Sequence, residues 1–110
     1  MSASPAHTDD SVDTNLLTTT IRALGVSERR ALLDALRRAR FDGVSGLSIT
    51  DLAGATELSR FAASRHLAVL REAGLVTMTQ DGYRRVHQIR FDAFLELEEW
   101  VMRFSLHAAT

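Results

Sequence analysis

The segment Leu58–Val76, LSRFAASRHLAVLREAGLV, constrains the fold more than any other part of the chain. On a helix of about 3.6 residues per turn, residues 59–74 separate into an apolar face and a polar face. The apolar face consists of Ala62, Ala63, Leu67, Val69, Leu70 and Ala73. The opposite face carries Phe61, Ser64, Arg65, Ala68 and Glu72, flanked by Arg60 and Arg71. We therefore predict an amphipathic helix that Ser59 begins as its N-cap and Gly74 ends in the left-handed conformation.

The segments on either side of this helix predict a helix-turn-helix followed by a hairpin. Upstream, Ser48 or Thr50 can cap a short helix, DLAGAT, and a turn follows at Glu57–Ser59. Downstream, the period changes to that of strands in LVTMTQ and YRRVHQIR, which Asp81-Gly82 joins as a hairpin turn. In a helix-turn-helix the second helix enters the DNA major groove, and a hairpin after it forms a wing.

The rest of the chain predicts three further helices, so the expected fold class is mostly α (α+β), a winged helix-turn-helix with a two-stranded β-hairpin. The first helix covers about residues 11–24 and stops at Gly25. Ser27 is expected to cap the second helix, ERRALLDALRRAR, whose arginines form a solvated face. Its apolar side is Ala31, Leu32, Ala35, Leu36 and Ala39. Phe41–Ser48, FDGVSGLS, is predicted to be a loop, and Asp92 is expected to cap the last helix.

The first and last helices carry more apolar surface than one small core needs. The first has a stripe made by Leu17, Ile21 and Leu24. The last has Phe94, Leu97, Val101 and Phe104 on one side with Trp100 at its edge, and Leu95 and Met102 on another. Because soluble monomers rarely expose such surface, we predict that these N- and C-terminal helices dimerise the chain. The predicted dimer interface is Leu17, Ile21, Leu24, Leu97, Trp100, Val101 and Phe104.

Charge is distributed unevenly along the chain, although the formal net charge is only −1. All 13 basic residues are arginine, and the segment from Arg60 to Arg90 holds far more arginines than acids, which are Glu72 and Asp81. The predicted recognition helix and wing are therefore locally positive, as binding to DNA requires. Arginine also suits base reading, because its planar fork can bond guanine O6 and N7 together.

The central motifs resemble those of the ArsR-type winged helix-turn-helix repressors. They are SRHL at Ser64–Leu67, VLREAGLV at Val69–Val76 and the wing DGYRRVHQI, and the resemblance extends from about Ala31 to Trp100. It implies a homodimer, joined mainly through its first and last helices, that binds double-stranded operator DNA and represses transcription until an unidentified small-molecule or protein signal relieves it. It also implies contacts to bases and phosphates from Arg60, Phe61, Ser64 and Arg65. The chain departs from the family pattern at Phe61, where a small polar residue is usual, and in its longer loop FDGVSGLS.

Several side chains leave two interpretations open. Phe61 can pack on the preceding helix or touch a thymine methyl group, and Arg71 can reach a phosphate or pair with a nearby acid. Arg84 and Arg85 are adjacent on a strand and point to opposite faces, so only one of them is expected to reach DNA well. His66 falls near the middle of the buried face and is expected to be a hydrogen-bonded core histidine. The predicted DNA-binding residues are Arg60, Phe61, Ser64, Arg65, Arg71, Arg84 and Arg85.

Metal binding and catalysis have little support in the sequence. The chain has no cysteine, so it has no disulfide, thiolate metal site or thiol switch. The histidines are His7, His66, His87 and His107, and their spacing is poor for zinc. Glu96 and Glu99 have a spacing that metal ligands use on helices, but carboxylates alone are a weak zinc pair. No catalytic triad, Gly-rich phosphate loop or HExxH motif is present, so we predict no enzyme and no cofactor.

The remaining predictions concern organisation and the alternatives to repression. Residues 1–11 are expected to form a disordered tail without the features of a signal peptide, and residues 12–110 a single domain. No apolar run reaches the roughly 18 residues of a membrane span, so a cytoplasmic protein without a membrane partner is expected. The alternatives are a winged-helix protein-interaction module without strong DNA affinity and a metal-responsive repressor.

Overall fold

The computed structural model describes residues 15–109, with side chains as far as Ser105. The predicted tail and the first residues of the predicted first helix lie outside this range. Residues 15–24 form helix α1. The later elements are α2 (Ser27–Phe41), α3 (Ile49–Thr56), α4 (Arg60–Glu72), β1 (Val76–Asp81), β2 (Arg84–Ile89), a 3-10 helix (Phe91–Phe94) and α5 (Leu95–Ala109). The two strands pair antiparallel, so the predicted winged helix-turn-helix fold is confirmed.

Hydrogen bonds that the sequence predicts shape the helix-turn-helix. Ser48, rather than Thr50, caps α3: its hydroxyl accepts from the Asp51 N–H at 3.1 Å, and the Asp51 carboxylate accepts from the Ser48 N–H at 3.3 Å. Ser59 caps α4 by accepting a backbone hydrogen bond of 3.0 Å from the first turn. Gly74 follows the helix with φ +79°, a conformation that glycine adopts without the strain of a side chain.

Two other predicted caps are wrong. Helix α2 begins at Ser27 itself with Val26 as its N-cap, and the Ser27 hydroxyl donates to the Glu28 carboxylate at 3.0 Å. Because Ser27 is already helical, its side chain lies beyond the position from which a cap serves the free N–H groups. Asp92 lies inside the 3-10 helix, which starts one residue after β2 with Arg90 as its N-cap, and its carboxylate accepts from the Arg90 guanidinium at 3.2 Å.

The hairpin loop lies one residue beyond its predicted position. Asp81 is the last residue of β1 and pairs with Arg84, which leaves Gly82 and Tyr83 as the loop. Gly82 has φ +64°, and a two-residue hairpin loop places a positive φ at this position. The prediction that Gly82 lies in the turn is therefore confirmed, but the prediction that Asp81 does so is wrong, because Asp81 belongs to β1.

The core lies between α2, α3, α4 and the start of β1. Its largest fully buried side chains include Leu32, Leu52, Leu67, Leu70, Leu75 and Val76. The predicted apolar face of α4 is confirmed, since Ala63, Leu67 and Leu70 are buried and the other three residues are half-buried. The predicted face of α2 needs correction: Ala31 is exposed, while Leu33 is buried toward the start of α5. Because α2 packs on both sides, its buried surface is wider than one stripe.

The segment predicted as a loop between α2 and α3 contains a strand bridge. Leu47 donates its N–H to the His87 carbonyl at 3.0 Å and accepts the His87 N–H at 2.7 Å. A Cβ atom at Gly46 would lie 3.0 Å from the His87 carbonyl oxygen and 3.1 Å from the Val86 side chain, so glycine permits this close approach. Phe41 still belongs to α2. The longer loop therefore pins the wing to the helix-turn-helix.

Candidate nucleic-acid interface

The first two turns of α4 form an exposed surface with polar and basic side chains. The Ser59 cap and the buried side of α4 fix the rotation of the helix, so its opposite side projects into solvent. Arg60, Phe61, Ser64 and Arg65 are all exposed there. The backbone N–H groups and the positive end of the helix dipole add to the charge of the two arginines. These donors match the acceptors of phosphates and guanine edges.

Phe61 and Arg65 lie one helical turn apart and contact each other. The guanidinium carbon of Arg65 lies 5.3 Å from the centroid of the Phe61 ring, which is within the range of a cation–π interaction. The Phe61 side chain is 73% exposed and does not join the core. The interpretation that Phe61 packs on the preceding helix is therefore wrong, and its ring lies beside the arginine that is predicted to read a base.

The two adjacent arginines of the wing have different surroundings. Arg84 donates to the Asp51 carboxylate at 2.7 Å, which ties β2 to the capping box of α3. Hydrogen bonds from Ser48, followed by the charge of Arg84, lower the pKa of the Asp51 carboxyl group, so this carboxylate is charged at neutral pH. Arg85 lies opposite Gln80, is exposed, and has no ion-pair partner within residues 15–105.

Arg71 lies at the end of α4 against a buried histidine of the wing. Its Nη1 atom is 3.2 Å from Nε2 of His87, which is fully buried. Because arginine only donates, Nε2 accepts and the ring proton belongs on Nδ1, which has no hydrogen bond of normal geometry. Burial lowers the pKa of His87, and the nearby Leu47 carbonyl offsets this only in part. Within the described residues Arg71 has no acidic partner; it is half-buried and joins α4 to β2.

His66 is not the core histidine that its position on the wheel predicts. It is half-buried, and its Nδ1 lies 3.4 Å from the Arg29 Nε, which donates to it across the α2–α4 contact. Among the described residues the buried histidine is His87, on the strand that also carries Arg84 and Arg85. One signal for this was present, because the period-2 alternation of a strand groups His87 with the apolar Ile89.

Two other contacts of the wing have no local signal in the sequence. Arg84 and Asp51 are 33 residues apart, so neither periodicity nor a turn motif brings them together. The second contact is the Arg90 N–H, which donates to the Leu75 carbonyl at 2.9 Å; the Arg90–Asp92 ion pair at 3.2 Å, by contrast, joins residues only two apart. Of the wing arginines, Arg84 and Arg90 thus hold the fold, while Arg85 is available to a phosphate.

The residues of the predicted dimer interface lie at or near the surface. Leu17, Leu24 and Leu97 are half-buried, and Ile21, Trp100, Val101 and Phe104 are exposed. Trp100 and Phe104 contact each other edge to face, with ring centroids 4.9 Å apart. Helices α1 and α5 therefore leave apolar side chains uncovered in one copy of the chain.

The described residues contain neither a metal cluster nor a membrane span. Within them, no three His, Asp or Glu side chains lie close enough together to hold a metal ion. His7 and the side chain of His107 lie outside this range. None of the described helices has the length and apolar character needed to cross a membrane.

Comparison with known proteins identifies the central part of the chain. The sequence profile of the arsR family of bacterial regulatory proteins matches residues 27–78, which run from the start of α2 into β1. No curated protein sequence matches the chain significantly.

Several solved structures share the fold. An ArsR-like transcriptional regulator from Rhodococcus sp. RHA1 is 22% identical, with a TM-score of 0.71 over 87% of this chain and 85% of that one. A homodimeric winged helix-turn-helix DNA-binding domain from Mycobacterium bovis is 21% identical, with a TM-score of 0.67 over 92% and 90%. A predicted DNA-binding transcriptional regulator from E. coli is 25% identical, with a TM-score of 0.63 over 90% and 97%.

The matched residues include the helix-turn-helix part of the candidate interface. They contain the capping box of α3, the whole of α4 and the turn at Gly74, and the structural likenesses extend the same fold to the wing and the outer helices. Residues 27–78 therefore carry the sequence pattern of the arsR family of bacterial regulatory proteins, and the chain has the winged helix-turn-helix fold of the ArsR-family transcriptional regulators that it resembles.

Proposed function

We propose that this protein is a homodimeric, sequence-specific repressor that reads its operator with α4 and steadies the complex with the β1–β2 wing. The observation that carries the proposal is the exposed face on the first two turns of α4. Arg60, Ser64 and Arg65 are exposed there and contribute nothing to the core. Their donors, at the positive end of a helix, suit phosphates and base edges.

In this proposal the first turns of α4 enter the major groove. Arg65 reads a base edge, with guanine as the best match to its two parallel donors. Arg60 and Ser64, which lie nearer to the helix N-terminus, contact the phosphate backbone and set the register of the helix. The core-facing side of α4 keeps this geometry rigid, since Ala63, Leu67 and Leu70 are buried.

The wing adds contacts that do not depend on the base sequence. Arg85 is the wing arginine available to a phosphate, while Arg84 must exchange its 2.7 Å contact with Asp51 to reach one. Exposed ion pairs contribute only about 0–1 kcal/mol, so that exchange is energetically open. Arg71 supports the wing through His87 and is a weaker candidate for phosphate contact than its position in the sequence suggests.

Dimerisation explains the uncovered apolar side chains of α1 and α5. Burying Trp100, Val101 and Phe104 against a second copy removes apolar surface from water, at about 25 cal/mol per Å². The Mycobacterium bovis relative is homodimeric. A two-fold dimer places its recognition helices about 34 Å apart, one turn of DNA, so the operator is expected to be an imperfect palindrome.

Repression follows if the operator overlaps a promoter, and a signal that changes the dimer would relieve it. We propose a small molecule or a protein as this signal, acting in the cytoplasm. A thiol oxidant has no target in the chain, because cysteine is absent. A soft metal lacks the thiolate ligands that it prefers.

DNase footprinting upstream of the protein's own gene tests the proposal. A two-fold symmetric protected region that Arg65→Ala abolishes at equal protein concentration would support it. Arg38 is exposed on α2, outside the interface, so Arg38→Ala is the matched control and should protect the same region. Binding to DNA through phosphates strengthens as the salt concentration is lowered. If the wild-type protein shows no such binding to any DNA, the alternative of a protein-interaction module without strong DNA affinity is favoured.

A further inference from the structure

Phe61 is an unusual residue for the polar face of α4. A phenylalanine that is 73% exposed gains little from burial, and Phe61 lies outside the hydrophobic cluster of the core. Its ring contacts the charged group of Arg65. The ring therefore contributes little to the core, and Arg65 is the neighbour on which it can act.

The contact has the geometry needed to orient a guanidinium group. Residues four apart on a helix are surface neighbours, and the Arg65 guanidinium carbon lies 5.3 Å from the Phe61 ring centroid. A free arginine side chain samples many rotamers and loses that freedom when it binds a base. Contact with the ring restricts the guanidinium and reduces this loss, while the N–H donors that do not point at the ring remain free to bond.

We propose that Phe61 is a positioning residue that holds Arg65 in the orientation in which it reads its base. The inference rests on the proposed function of Arg65. It assigns the effect of Phe61 to the π face of the ring and not to its apolar area. Direct contact between Phe61 and a thymine methyl group is the competing role, and it would act at a base pair of its own.

These two roles predict different results for two exposed-site substitutions. Phe61→Tyr keeps the aromatic face, and Phe61→Leu keeps an apolar side chain without it. Both leave the core intact, because Phe61 is exposed. Cation–π contacts at exposed sites are weak, so Phe61→Leu should reduce the base preference due to Arg65 about two- to fivefold.

The experiment measures affinities by fluorescence anisotropy for the footprinted operator, for operators changed at single base pairs and for a random duplex. The proteins are wild type, Phe61→Tyr, Phe61→Leu, Arg65→Ala and the double variant Phe61→Leu/Arg65→Ala. Phe61→Leu should lower preference at the same base pair that Arg65→Ala affects, and Phe61→Tyr should keep it. In the Arg65→Ala background, Phe61→Leu should change nothing further at that base pair.

Each other outcome overturns a specific claim. A loss of preference at a different base pair, or one that persists without Arg65, assigns Phe61 to direct DNA contact and overturns the positioning role. Equal preference in Phe61→Leu and wild type overturns it as well. A wild-type protein without preference for any operator overturns the proposed function of Arg65, and the role of Phe61 falls with it.

Discussion

The arginines at the start of α4 and those of the wing have the same charge but opposite surroundings. Within the described residues, Arg60 and Arg65 have no ion-pair partner. On the wing side, Arg84 bonds Asp51, Arg90 bonds Asp92, and Arg71 bonds His87. One region keeps its donors available, and the other uses most of them to hold the hairpin against the helices.

This difference indicates two functions for the arginines: free donors can read bases, and paired donors hold the wing in place. Donors that remain free can be exchanged from water to a base edge without breaking a contact within the protein. Donors that already have a partner fix the angle between wing and helix. When such a donor moves to a phosphate, the gain in free energy is only the difference between the new contact and the contact that it leaves. Substitution of Arg65 should therefore change sequence preference, and substitutions in the second group should change stability or overall affinity.

Arg65→Ala is expected to have the largest effect on preference. Loss of a bidentate base contact costs about 1–3 kcal/mol and relaxes preference at one position. The ratio of operator affinity to random-DNA affinity, measured by anisotropy across a salt series, should fall accordingly. Arg38→Ala, at an exposed position of α2, should leave the ratio unchanged. Equal losses on operator and random DNA would make Arg65 a phosphate contact and would break the distinction between the two regions.

Acidification is expected to lower the free energy of unfolding, because His87 is buried where the wing packs on α4. Burial lowers the pKa of His87 below its ordinary value of 6.5. Above about pH 7 the ring is neutral in the folded and unfolded chain, and stability is unaffected. As the pH falls below about 6.5, the unfolded chain takes up the proton first, and the free energy of unfolding decreases until the folded pKa is reached. Each unit of lowering corresponds to about 1.4 kcal/mol.

Urea unfolding at about pH 7.5 and about pH 5.5 measures this dependence. His87→Leu keeps the site apolar and removes the titrating ring, so its free energy of unfolding should change less over the same interval. The Asp51 carboxyl, whose pKa is lowered, loses its contribution only at more acidic pH. An equal decrease in wild type and His87→Leu would place the pH sensitivity elsewhere in the chain.

The sequence predicts the base-reading face of α4 better than the contacts that hold the wing, because the two depend on residues at different distances along the chain. The face of α4, the Ser59 cap and the glycine at Gly74 depend on neighbours within a few residues, and periodicity records these. The burial of His87 and the contact between Arg84 and Asp51 depend on segments brought together by folding. Ser27 and Asp92 show the same limit locally, because packing shifts the start of each helix by one or two residues.

Arg85→Ala should have a smaller and uniform effect. A phosphate contact contributes equally to all sequences, so affinity for operator and for random DNA should fall together. The slope of log affinity against log salt should decrease by about one unit. Arg84→Ala provides the comparison: because Arg84 already bonds Asp51 at 2.7 Å, its loss should reduce affinity less. A change in the ratio of operator affinity to random-DNA affinity in Arg85→Ala would mean that the wing also contributes to sequence preference.

Asp51→Asn should have the smallest effect and tests whether the Arg84 contact competes with DNA. The change removes one negative charge and weakens the hold on Arg84. Oδ2 of Asp51 accepts from both the Ser48 N–H and Arg84, so an asparagine oxygen in its place keeps the capping bond but no longer forms an ion pair. Random-DNA affinity should rise slightly with an unchanged ratio, and stability should fall by about 1 kcal/mol or less. Asp34→Asn makes the same charge change on α2, where Asp34 lies 3.7 Å from Arg37, and should have little effect on DNA binding. A lower DNA affinity in Asp51→Asn alone would mean that Asp51 holds Arg84 in its DNA-binding position. The Arg84–Asp51 contact would then both hold the wing in place and contribute to DNA binding.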